Sequence, residues 1–150
     1  KDLNIVPGWH LDWDNHEMYF VNFPGGLELL QKKSGTKKLY GTGWMFFCAQ
    51  MLMGDTADNI SGLPKLLTSE GFKPCGPVSA YKYLQSCNTP REALQKVQRA
   101  YKWYADGPGF VSYKGDPLTW EQAFESEAKL LWMRRYPDED DILTLIQEMA

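Results

Sequence analysis

The sequence predicts an α+β chain that is mostly α, with short β-hairpins near the N-terminus followed by a helical region. Three observations predict it. Between residues 9 and 40, segments rich in aromatic and aliphatic residues alternate with turn residues. From Gly43 to Met53 the residues are apolar on nearly every face of a helix. After residue 88, helix-start signals and helical periodicity follow one another.

Each element follows from its residues. Val6-Pro7-Gly8 is a turn signal. Leu11–Trp13 and Met18–Phe23 flank Asp14-Asn15 as a first hairpin. Leu27–Leu30 and Leu39–Tyr40 form a second, with Lys32, Lys33, Ser34, Gly35, Thr36, Lys37 and Lys38 at its tip. Thr42 is placed to cap a buried helix that runs to Met53. Residues 54–77, rich in Gly, Pro, Asp and Asn, read as a structured loop region, and Val78–Ser86 reads as a helix. Thr89-Pro90-Arg91-Glu92 has the form of a capping box with proline at the first helical position. The helix it opens carries Leu94, Val97, Tyr101 and Tyr104 at helical spacing, and Gly107-Pro108-Gly109 stops it. Thr119 with Gln122 starts another helix, lined by Phe124, Ala128, Leu131 and Arg135 and ended by Pro137. Asp138 to Asp141 place negative charge at the start of a last helix, where the macrodipole favours it.

At 150 residues, the chain is long enough for one domain with a real core. Six Trp, eight Tyr and seven Phe argue against disorder. A net charge of -3 does not announce a nucleic-acid binder, so any case for DNA must come from local motifs and local lysines. Cys48, Cys75 and Cys87 fit neither a disulfide framework nor a zinc pattern, and are expected to be free thiols. No apolar run is long enough to span a membrane.

The informative segment is Met53-Gly54-Asp55-Thr56-Ala57-Asp58-Asn59-Ile60-Ser61-Gly62-Leu63-Pro64. Asp55 and Asp58 are three residues apart, which on a helical turn places both carboxylates on one side. Paired hard oxygens suit Mg²⁺ or Mn²⁺. Taken alone, two aspartates at the end of a helix read first as cap or turn residues.

The run G-D-T-A-D-N-I-S-G-L-P is very similar to the G-D-x-x-D-N-I-P-G-V motif of 5′-nucleases. That family comprises flap endonucleases, phage 5′→3′ exonucleases and the 5′-nuclease domain of bacterial DNA polymerase I. In the family the motif opens a helix–three-turn–helix element. Pro74-Cys75-Gly76-Pro77-Val78-Ser79-Ala80-Tyr81-Lys82 resembles its second half, with Gly76, Ser79 and Ala80 on pattern positions. Pro74 stands for the first glycine, Val78 for the usual lysine, and about eight additional residues, Leu66 to Lys73, separate the halves. At the start, Lys1-Asp2-Leu3 followed by Val6-Pro7-Gly8 looks like the family's D-K-D motif without its first aspartate.

The resemblance implies the C-terminal portion of a 5′-nuclease domain: residues 1–53 as the end of the catalytic sheet region, 54–87 as the helix–three-turn–helix, and 88–150 as C-terminal helices. It implies two-metal hydrolysis of DNA phosphodiesters, by 5′→3′ exonuclease or flap cleavage. Asp2, Asp55 and Asp58 are the implied catalytic carboxylates and ligands of Mg²⁺ or Mn²⁺. The family's other acidic ligands lie in a preceding half, so the isolated chain is expected to have little or no activity, and a separate chain carrying that half could complete it. The implied DNA contacts are Lys65, Lys73, Gly76, Ser79 and Lys82, with K⁺ near Gly76 and Ser79. The implied substrate is duplex DNA with a 5′ end or flap. The implied location is cytoplasmic (the host's, if phage-encoded), with no membrane partner. The alternatives are a non-catalytic, structure-specific DNA-binding module and a protein-interaction domain that kept the fold.

Other clusters read as ordinary structure. His10, Asp12, Asp14 and His16 form an exposed hairpin rather than a metal site. Trp9, Trp13, Tyr19, Phe20 and Phe23 are expected in the core, although such a set could also stack bases. Trp120, Phe124 and Trp132 are expected to pack.

Overall fold

The computed structural model describes residues 2–134, 137–139 and 141–150, apart from the side chain of Asp2. A 3₁₀ turn over Asp2–Ile5 precedes two hairpins, β1 (Gly8–Asp12) with β2 (Glu17–Val21) and β3 (Gly26–Gln31) with β4 (Lys37–Thr42). Then come α1 (Gly43–Met53), a small hairpin β5 (Leu66–Thr68) and β6 (Gly71–Lys73), α2 (Pro77–Leu84) and α3 (Pro90–Asp106). A two-residue pair, β7 (Phe110–Val111) and β8 (Pro117–Leu118), leads to α4 (Trp120–Leu131) and α5 (Ile142–Met149). The architecture is α+β: five α-helices and four antiparallel strand pairs among the described residues.

The core is built around α1. Trp44, Phe46, Phe47, Cys48, Ala49, Gln50, Met51 and Leu52 are all buried. A helix without a polar face must be covered on every side. Here α2, α3, α4, the β3–β4 hairpin and the 3₁₀ turn all pack on it. Trp44 and Phe47 lie 5.0 Å apart by ring centroid and both meet Trp132, which follows α4. The Trp44 indole N–H donates to the Pro90 carbonyl at 3.0 Å, which ties α1 to the start of α3. No helix among the described residues is long and apolar enough to cross a membrane.

Several expectations from the sequence need correction. Thr42 is the N-cap of α1, but its side chain does not cap. The first amides of α1 are met instead by backbone: Trp44 N–H donates to Phe23 O at 2.7 Å and Met45 N–H to Pro24 O at 3.1 Å. The Thr89 hydroxyl accepts from Glu92 N–H, but the Glu92 carboxylate accepts from Asn88 N–H, so the reciprocal bond is shifted by one residue. The Thr119–Gln122 capping box is complete. That helix stops at Leu131, well before Pro137; Phe124, Ala128 and Leu131 line its buried side, and Arg135 lies outside the described residues. Of the terminal acidic run, Asp141 caps α5 by accepting from Leu143 N–H, and Asp140 lies outside the described residues. Lys37 and Lys38 belong to β4, not to the hairpin tip. The loop region 54–77 contains β5–β6, and strands recur after α3 at β7–β8.

The largest departure is the β1–β2 hairpin. Trp9, Trp13 and Phe20 are 69%, 77% and 57% exposed, and Tyr19 is also exposed, so this set is not core. Only Phe23 turns inward, stacking on Trp44. The register places Trp9 opposite Phe20 and Leu11 opposite Met18, so all four share one face. The other face is tied down by Tyr19 Oη donating to Asn4 Oδ1 and by a 2.7 Å contact of His10 Nε2 with Val6 O.

A pair of truncations tests this division. Phe47→Ala empties a fully buried site and should cost about 3–5 kcal/mol. Phe20→Ala removes an exposed ring and should stay within about 0.5 kcal/mol. Urea denaturation of both variants should reproduce that contrast.

Candidate metal and nucleic-acid site

The motif segment leaves the C-terminal end of α1 as a closed loop. Gly54 N–H donates to Gln50 O at 2.6 Å and ends the helix. Asp55 and Ile60 exchange both backbone hydrogen bonds, at 2.8 and 2.9 Å, so the chain doubles back over residues 56–59. Leu63 N–H returns to Met51 O at 3.0 Å. The same carbonyl accepts from the buried Tyr101 hydroxyl at 2.7 Å. Burial holds that phenol well above its ordinary pKa, so it remains a donor.

Two glycines make the closure possible. Gly54 and Gly62 have φ of 73° and 64°, in the left-handed region. A Cβ on Gly62 would lie 2.5 Å from Gly54 N, and one on Gly54 would lie 2.3 Å from Ile60 O. Asn59, at φ 57°, takes the turn conformation that asparagine tolerates better than most residues.

The two motif carboxylates do not share a helical turn, because α1 ends at Met53 and residues 56–59 form a turn. Asp55 is 2% exposed. Its Oδ2 accepts from Gln50 Nε2 at 3.1 Å and its Oδ1 from Ala57 N–H at 3.1 Å, an Asx-turn arrangement. Asp58 is exposed on the outside of the loop. Asp2 lies in the 3₁₀ turn, which packs on α1. Among the described residues, no three His, Cys, Asp or Glu side chains gather as a metal-holding group. The donor chemistry of Asp55 and Asp58 suits a hard cation, but two carboxylates do not neutralise two divalent ions, so further ligands are required.

Sequence reasoning missed Glu127. It reaches the back of the loop from α4, and its Oε2 accepts from Gly62 N–H at 2.9 Å. Partial burial raises its pKa above the ordinary 4.5, against the lowering effect of the Gly62 bond. No spacing rule could have connected a glycine to a glutamate 65 residues later.

The implied DNA contacts spread over the segment that follows. Lys65 is exposed just before β5, and Lys73 is exposed on β6. Gly76 is the N-cap of α2, with Pro77 at its first position and Ser79 half-buried in its first turn. Nothing lies within 4 Å of a Cβ built on Gly76, so this helix start is open to approach. Lys82 is exposed in the last turn of α2. All three thiols are free; burial raises Cys48 and Cys87 and pushes Cys75 up to about 12, so none forms a thiolate nucleophile at neutral pH.

No family model matches the chain, and no curated protein or solved structure matches it.

Gly62→Ala combines left-handed strain with a backbone clash and should cost on the order of 3 kcal/mol, read as a lowered denaturation midpoint. Glu127 gives a pH signature. Its raised pKa means the folded state binds this proton more tightly than the unfolded chain. Its contribution is therefore largest below 4.5 and falls as pH rises through the raised value. Glu127→Gln keeps an oxygen for Gly62 N–H and should flatten that fall. Its Tm at pH 7 should equal or exceed the parent's, and a clear drop would contradict the assignment.

Proposed function

We propose that this chain is the C-terminal portion of a metal-dependent 5′-nuclease, a flap endonuclease or 5′→3′ exonuclease that hydrolyses DNA phosphodiesters with two Mg²⁺ or Mn²⁺ ions. The observation that carries this reading is the run from Gly54 to Pro64, which is so similar to the 5′-nuclease motif. The fixed loop it forms supports the reading, because Asp58 is carried outward on a backbone locked at both ends. In this proposal Asp2, Asp55 and Asp58 supply part of the ligand set, and a preceding segment or separate chain supplies the rest. Divalent cations bring charge neutralisation at the phosphodiester and a more acidic water. The residues of this chain contribute anionic oxygens, and Gln50 and Ala57 orient Asp55.

The stretch over residues 54–87, which holds the motif loop, β5–β6 and α2, is the proposed helix–three-turn–helix. Gly76 offers no side chain at the start of α2, so a phosphate can approach the first-turn amides. Lys65, Lys73 and Lys82 supply counter-charge, and K⁺ near Gly76 and Ser79 would bridge backbone to phosphate as the family resemblance implies. Two rival readings have observations of their own. The engagement of Asp55 by Gln50 and Ala57 favours a DNA-binding module without hydrolysis. The exposed face of Trp9, Leu11, Met18 and Phe20 favours a protein-interaction domain.

Titrating the chain on a 5′-flap duplex at several salt concentrations separates these readings. Binding should strengthen steeply at low salt, and Lys65→Ala with Lys82→Ala should reduce the slope of log K against log salt by roughly 2. Absence of low-salt affinity, or an unchanged slope, would count against DNA. With Mg²⁺ and 5′-labelled duplex, the isolated chain should release little or no nucleotide. Robust turnover abolished by Asp55→Asn would show that no further ligands are needed.

A further inference from the structure

Away from the motif loop, α3 and α4 frame an open groove of about 600 Å³ lined by Gln98, Arg99, Lys102, Trp103, Asp106 and Trp120. Five of these lie along the outer side of α3, while Leu94, Val97, Ala100 and Tyr101 are buried on its inner side. Trp120, the first residue of α4, is half-buried and packs edge-on against Phe124 at 6.3 Å. Trp103 is 39% exposed. The groove thus pairs two indoles with two cations and a single carboxylate.

That composition selects an anionic, aromatic ligand. Indoles stack on bases of any sequence, and Arg and Lys meet the phosphates between them. The volume accommodates one or two nucleotides rather than a duplex. The exposed aromatic face of the β1–β2 hairpin has the opposite charge. The β1–β2 hairpin carries Asp12, Asp14 and Glu17 and contains no Lys or Arg.

We infer that the α3–α4 groove holds an unpaired DNA segment, with bases on Trp103 and Trp120 and phosphates on Arg99 and Lys102. The inference rests on the DNA reading proposed above and adds where a single strand leaving the duplex is held.

The test uses the intact chain with two probes, a ten-nucleotide oligothymidylate and a blunt duplex. The oligothymidylate should bind and quench tryptophan fluorescence. Trp103→Ala should weaken it roughly five- to hundredfold. Arg99→Ala with Lys102→Ala should lower the salt slope by about 0.7 for each phosphate left without its cation. Blunt-duplex affinity should be unchanged in both variants. The three targeted side chains, Arg99, Lys102 and Trp103, are on the exposed side of α3, and far-UV circular dichroism verifies that the variants fold. If the duplex binds but the oligothymidylate does not, or if its affinity ignores the variants, the groove assignment is overturned while the DNA reading stands. If neither probe binds, both fall.

Discussion

The structure depends on the complete burial of α1. A helix made of Trp44, Phe46, Phe47, Cys48, Ala49, Met51 and Leu52 has almost no face to offer water, so α2, α3, α4, the β3–β4 hairpin and the 3₁₀ turn are recruited to cover it. The one buried polar side chain of the helix, Gln50, meets Asp55 as the chain leaves. The carbonyls of Gln50 and Met51 are then taken by Gly54, Leu63 and Tyr101. Because unpaired backbone groups in such a place are costly, the end of α1 and the motif loop form one hydrogen-bonded unit. Glu127 closes it from α4.

This arrangement divides the motif by duty. Gly54, Asp55, Asn59, Ile60 and Gly62 each have a local structural reason to be what they are: two left-handed glycines, an Asx turn, a left-handed asparagine and a backbone bridge. Thr56, Asp58 and Ser61 are exposed, so their identities are available to function. A motif can therefore be demanding about sequence both for the sake of its loop and for what the loop presents. Of the two motif carboxylates, Asp58 is exposed, and Asp55 is buried and hydrogen-bonded within the turn.

Much of the fold was legible in the residues. The run 43–53, apolar but for Gln50, the Thr119–Gln122 box and the Gly107-Pro108-Gly109 stop carry their instructions locally. What escaped was decided at a distance or by very short elements. β5–β6 and β7–β8 have two or three residues per strand, too few for a period of two to register. The cap of α1 comes from the carbonyls of Phe23 and Pro24, which no side-chain rule anticipates. The aromatic hairpin defeats a sequence reading because strand alternation says which residues share a face, not whether anything covers it. At the site, the loop and its glycines were visible in the motif, whereas the burial of Asp55 against Gln50 and the approach of Glu127 needed the tertiary arrangement.

Two of the aromatic surfaces outside the core differ in charge. Exposed rings on β1–β2 sit among aspartates and a glutamate, while Trp103 on α3 and the half-buried Trp120 on α4 share a groove with Arg99, Lys102 and Asp106. The motif loop is hydrogen-bonded to the end of α1 as its rigid extension. Native-state amide hydrogen exchange tests it most directly. The amides of Gly54, Asp55, Ile60, Gly62 and Leu63 should open with the same free energy as those of Met51 and Leu52 in the helix. Exchange at these positions as fast as in the exposed turn around Gly35 would contradict it.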